Sequence, residues 1–129
     1  MKILKTYARM FVRSLDESMP LLEQLVGQPA DLRFPFAAIE LAAIGDLLVI
    51  AGPPEETNQY RGIVGPLIVS SMDELEAFLG QIGAVVTQPR VEVPTGFGLW
   101  ATHPDGAKVE YVQWKPELVE RIIGKAAAA

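Results

Sequence analysis

The chain has 129 residues, 50% hydrophobic and 21% charged, which suits one compact domain or two small half-domains and argues against disorder. Its formal net charge of −5, with scattered Lys and Arg, disfavours a nucleic-acid surface. Cysteine is absent, which excludes disulfide scaffolds, cysteine-ligated zinc and thiol nucleophiles.

The N-terminus, Met1–Lys2–Ile3–Leu4–Lys5–Thr6, has no long apolar stretch followed by a small-residue cleavage site. The longest nearly uncharged run, Leu41 to Pro54, is broken by Gly45–Asp46 and is too short to span a bilayer. A cytoplasmic protein without membrane contact is therefore expected. Residues 3–12 read as one strand, with Thr6, Ala8, Met10 and Val12 on one face and Tyr7, Arg9 and Phe11 on the other. Ser14–Leu15–Asp16–Glu17 has capping-box spacing for a helix ending near Val26, with Gly27 as its stop. Pro20 fits the first turn of a helix capped at Ser18 better, so a distorted first turn or a late start is expected. Residues 32–41 read as one or two strands, Gly45–Asp46 as a turn, and Leu47–Ala51 as an apolar strand. Residues 52–62 are polar and rich in Pro and Gly, so a mobile linker is expected; Asn58–Gln59–Tyr60–Arg61 reads as solvated linker or as a lid.

Val64–Val69 begins a second strand, and Ser71–Met72–Asp73–Glu74 again has capping-box spacing, for a helix to about Ile82. Residues 91–93 and 97–102 read as strands, His103–Pro104–Asp105–Gly106 as a tight turn, and Lys108–Trp114 as the returning strand. Pro116 suits the first turn of a C-terminal helix over 117–123, and the alanine run 126–129 reads as a frayed tail. Asp16–Glu17 and Asp73–Glu74 sit in first helical turns, where negative charge suits the helix dipole, so capping explains them better than catalysis.

These elements repeat. Val12–Arg13–Ser14–Leu15–Asp16–Glu17 matches Val69–Ser70–Ser71–Met72–Asp73–Glu74 at an offset of 57, as do Met10 with Leu67, Leu21 with Phe78, Leu22 with Leu79 and Leu25 with Ile82. Gln28–Pro29 matches Gln88–Pro89 at an offset of 60, which places about three extra residues after the second helix. Each copy reads βαβββ, with Met10, Val12 and their mates Leu67 and Val69 facing the helix. The expected class is α+β: a first module over 1–51, a linker over 52–63, a second module over 64–114, and a C-terminal helix and tail over 115–129.

The helix-entry signature, its repeat at 69–73, and the ending His103–Pro104–Asp105–Gly106–Ala107–Lys108–Val109–Glu110–Tyr111 resemble the vicinal oxygen chelate superfamily, which includes glyoxalase I, the bleomycin-resistance proteins and the extradiol dioxygenases. The resemblance covers about residues 3–114. It implies paired modules whose curved mixed sheet surrounds a cavity, often a homodimer, and in many members a divalent metal held by four side chains. Those four positions fall on Tyr7, Val64, Glu110 and either Val49 or Ile50. Only Glu110 is an ordinary ligand, and divalent sites want three or four N or O donors. No metal and no cofactor is therefore expected.

With Tyr7 and Glu110 facing inward as the resemblance implies, alternation adds Arg9, Phe11, Ile68 and Trp114. The offset of 60 adds Glu40 as the mate of Trp100, with Gly96 and Gly98 leaving space on that face. Tyr7, Phe11 and Trp100 would stack on a ligand, and Arg9, Glu40 and Glu110 would pair with its charge; alternatively these aromatics are core and Arg9 neutralises a carboxylate. His103 reads as a turn residue rather than a general base. The function expected is metal-free binding or sequestration of a small organic ligand in an aromatic-lined cleft. A metal-dependent glyoxalase-type lyase, isomerase or dioxygenase with displaced ligands is the rival, and a pocketless partner-binding dimer the third reading.

Overall fold

Serine caps, glycine stops and period-two alternation place the elements of a computed structural model that describes residues 1–124. The alanine run at 126–129 lies outside the described residues. The chain divides into two compact units, one of Tyr7–Gly62, the other of Met1–Thr6 with the chain from Ile63 onward. No helix among the described residues is long and apolar enough to cross a membrane.

The first unit contains β2 (Ala8–Val12), α1 (Leu15–Val26), β3 (Leu32–Phe36), β4 (Ile39–Ile44), β5 (Leu47–Ala51) and α2 (Pro54–Thr57); β1 (Ile3–Thr6) precedes them in the chain. Its sheet has the order β2-β5-β4-β3, with β2 parallel to β5 and the other pairs antiparallel. Ser14 caps α1 by accepting from the Glu17 N–H, and Gly27 closes it in the left-handed conformation. The helix starts at Leu15, not after Ser18, and runs straight through Pro20. Leu15, Met19 and Leu22 pack on Ala42, Ile44, Val49 and Ala51, with Met10 and Val12 at the margin.

The second unit contains β1, β6 (Val64–Val69), α3 (Met72–Ile82), β7 (Val85–Val93), β8 (Gly96–Thr102), β9 (Lys108–Trp114) and α4 (Pro116–Leu118), which widens into a π-type turn over Val119–Gly124. Its sheet has the order β1-β6-β9-β8-β7. Ser71 accepts from the Glu74 N–H, Gly83 closes α3, and Met72, Leu75 and Leu79 pack on Val69, Leu99, Ala101, Val109 and Tyr111.

Three differences from the sequence reading have physical causes. Residues 3–12 form two strands, not one. β1 pairs antiparallel with β6, and β2 pairs parallel with β5. The first residues are tied to the second unit, because the Met1 ammonium pairs with Glu74 at 2.9 Å and Ser70 Oγ accepts from the Lys2 N–H at 2.8 Å. Residues 52–62 are not simply a linker: α2 and a 3₁₀ turn at Asn58–Tyr60 fold there, and Thr57 is buried.

The repeat itself also reads differently. Met10 pairs with Val49 and Leu67 with Tyr111, while Ala42 pairs with Val49 and Leu99 with Tyr111. The offset is thus 57 through β4 and β8, and 62 in β5 and β9. The extra residues lie in the β8–β9 turn, not after the second helix. The two-residue Gly45–Asp46 turn is replaced there by a longer loop that Gly106 (φ 94°) and the Asp105 carboxylate on the Ala107 N–H hold closed. The same offset of 57 relates two ion pairs, Arg33 to Asp16 at 2.6 Å and Arg90 to Asp73 at 2.5 Å. Each ties a strand to the first turn of its module's helix. Exposed pairs of this kind contribute little to stability, so their value here is as a signature of duplication.

Candidate functional site

In each unit one sheet face packs on its helix, and alternation assigns the other face. In the second unit Leu99, Ala101, Val109 and Tyr111 face α3. Trp100, Glu110, Val112 and Trp114 therefore share the opposite face, joined by Ile68 through its pairing with Val112. Trp100 and Glu110 are direct partners across the β8–β9 hairpin, and the Trp100 indole N–H donates to Glu110 Oε2 at 2.8 Å. Both are half-buried. Ile68 (1% exposed) and Trp114 (5%) are buried, so they are packing residues of this face. The space expected at Gly96 and Gly98 is not there. A Cβ on Gly96 would overlap the Gln113 carbonyl, and one on Gly98 would touch Val93 at 3.5 Å.

In the first unit Arg9 and Phe11 pair with Leu48 and Ile50, on the face opposite Met10 and Val12. Arg61, from the segment after β5, lays its guanidinium over the Phe11 ring at 4.2 Å from the centroid. Glu40 does not join them. It pairs with Ala51, a residue of the core beneath α1, so it lies on the helix side, where it is exposed. The offset explains the error: at 57 the counterpart of Trp100 is Ala43, and Glu40 corresponds to Phe97.

Tyr7, between β1 and β2, is 3% exposed. Burial, then the carboxylates of Asp31 and Asp46, push its phenol well above the ordinary value of 10.0. It stays neutral at working pH. Above pH 10 an unfolded tyrosine ionises while this one does not, so stability falls as pH rises past that value. Tyr7→Phe should flatten that alkaline loss, read as urea midpoints on either side of the ordinary phenol pKa; an unchanged pH profile would refute it.

His103 is engaged with the second unit's Tyr111, Nε2 to hydroxyl at 2.6 Å with the rings stacked. Its side chain braces the turn.

The metal implied by the resemblance does not fit these residues. With the offset of 62, the fourth position falls on Leu48 rather than Val49 or Ile50. Tyr7 is a neutral phenol, Val64 and Leu48 have no lone pair, and Glu110 already accepts from Trp100. Among the described residues no group of three or more His, Asp or Glu is placed to hold a metal ion.

Sequence reasoning missed two contacts. Trp100 with Glu110 was accessible from the hairpin, since a turn closing at Thr102 and Lys108 sets 100 opposite 110. Arg61 on Phe11 had no periodic signal to betray it.

Among solved structures, an uncharacterized protein from Methanosarcina mazei is 35% identical, with 89% of this chain and 95% of that one covered and a TM-score of 0.83. That identity and coverage place the two in one family. The methylmalonyl-CoA epimerase of Mycobacterium tuberculosis aligns at a TM-score of 0.67 and 16% identity, over 97% of this chain and 92% of that one. An extradiol ring-cleaving dioxygenase from B. fuscum aligns at 0.51 and 18%, over 88% of this chain and 33% of that one. This is the vicinal oxygen chelate fold. At such identities the epimerase and the dioxygenase establish the fold alone, in agreement with the two mixed sheets and the duplicated βαβββ unit. No family model and no curated protein matches the sequence.

Proposed function

We propose that this vicinal oxygen chelate protein binds a small organic molecule without a metal, and that the Trp100–Glu110 face of the second module is its contact surface. The observation that carries this reading is the indole N–H of Trp100 on the Glu110 carboxylate. In the position that the resemblance gives to a metal ligand, the carboxylate accepts from a neutral donor. The half-buried indole, its edge fixed by the carboxylate, then offers an oriented aromatic surface, which binds and orients planar organic groups. Sequestration, with no chemistry performed on the ligand, is the activity this supports. A two-fold dimer, the commonest assembly, is proposed with it.

The test is a tryptophan-fluorescence titration with a panel of aromatic cations and neutral aromatics, on protein purified without chelator and analysed for metals. Trp100→Ala should weaken any ligand found by about ten-fold or more, the contribution of one well-stacked ring. Stoichiometric zinc, nickel, manganese or iron lost on Glu110→Gln would overturn the reading in favour of a metal-dependent lyase, isomerase or dioxygenase. Unchanged binding by Trp100→Ala would remove this face as the site.

A further inference from the structure

We propose that Arg61, held on the Phe11 ring, is a recognition site for small organic carboxylates on the sheet face of the first module opposite α1. It rests on residues other than Trp100 and Glu110 and stands or falls without them.

The argument begins with what holds the guanidinium. Its Cζ lies over Phe11, 4.2 Å from the ring centroid, and the Asn58 side-chain carbonyl accepts from its Nε–H at 3.2 Å. A guanidinium held over a ring and by one neutral acceptor has lost part of its rotational freedom before any anion arrives. The edge that carries Nε is occupied. The edge between Nη1 and Nη2 keeps its parallel donors, the geometry that receives both oxygens of one carboxylate.

Arg61 also forms no ion pair among the described residues. The contrast with Arg33 and Arg90 is informative, since each of those meets a carboxylate of its own module's helix.

The support beneath Arg61 is built, not incidental. The segment after β5 folds as α2 and a 3₁₀ turn, with Asn58 accepting from the Arg61 backbone N–H at 3.2 Å. Thr57 is buried, and its methyl and that of Ile39 both approach Gly52. The turn is thereby anchored to the sheet face on which Arg61 rests.

Benzoate is the probe, with benzamide as its neutral counterpart, titrated into the full chain and followed by the Arg61 Nε–Hε resonance and the Phe11 ring signals. Benzoate should move both sets, and benzamide should not. Arg61→Gln should weaken benzoate about five-fold, the modest effect expected of a charge-assisted pair at an exposed site. Arg61→Lys should weaken it similarly, since an ammonium lacks the two-pronged edge. Arg61 is exposed, so these variants should keep the wild-type amide spectrum. Equal shifts from benzamide, undiminished binding to Arg61→Gln, or no movement at tens of millimolar benzoate would each overturn the proposal, leaving Arg61 as a shield for Phe11. Movement confined to the indole signals of Trp100 would overturn it too, while supporting the other face.

Discussion

Gly96→Ala should prevent β8 from reaching its native pairing with β9. Gly96 sits at φ +153°, opposite Trp114, and a Cβ there would overlap the Gln113 carbonyl oxygen and stand 3.1 Å from the Trp114 Cα. Both obstacles are backbone, so no side-chain rotation relieves them. Displacing β9 has further consequences, because the Gln113 side chain accepts from the Met72 N–H at 2.6 Å at the start of α3. Backbone strain and overpacking each cost about 1–3 kcal/mol, which gives an expected loss of about 4 kcal/mol. That is a large share of the roughly 5–15 kcal/mol a native domain possesses. Urea unfolding followed by near-ultraviolet circular dichroism measures it. Gly98→Ala is the control, since its Cβ meets Val93 at an ordinary 3.5 Å. Its effect should stay within about 1 kcal/mol. Equal tolerance of both variants would show that the close approach at Gly96 is not a constraint.

Leu79→Ala and Leu22→Ala should each destabilise the protein by about 2–5 kcal/mol. The two leucines occupy the same position of the repeat, 57 residues apart, and both are buried between a helix and its sheet. Truncation removes apolar area and leaves a cavity whose walls are β-strands, which relax little. Amide hydrogen exchange locates the damage. Leu79→Ala should loosen the amides of β6, β8 and β9, and Leu22→Ala those of β2, β4 and β5. A loss below about 1 kcal/mol at either site would mean that the helix–sheet cluster is not that module's core.

The candidate site was only partly legible in the sequence. Alternation placed Arg9, Phe11, Trp100, Glu110 and Trp114 on non-helix faces, because period two is a property of the strand itself. It failed at Glu40, where the face depends on counting across an insertion. Matching Gln28–Pro29 to Gln88–Pro89 located the extra residues too early, and an odd error in offset flips the face of every residue beyond it. A wrong offset also moved the fourth family position from Leu48 to its neighbours. Burial was less legible still: Ile68 and Trp114 read as lining and are packed away.

The sequence by itself determined the local elements and their duplication. Serine caps, glycine stops and apolar periodicity act over a few residues, and a 57-residue echo needs no coordinates to be seen. It also limited the chelating groups at the positions the resemblance assigns, since valine and isoleucine, like the leucine that the structure puts there, carry no lone pair wherever they lie. Only the tertiary structure decided which strands pair, and so that residues 3–6 join the sheet of the second unit while residues 8–12 join that of the first. Only it set the indole of Trp100 on Glu110 and the guanidinium of Arg61 on Phe11. Hydrogen bonds between strands and contacts between distant side chains depend on chain reversal and loop length, and a periodic pattern reports the face of a residue but not its neighbour.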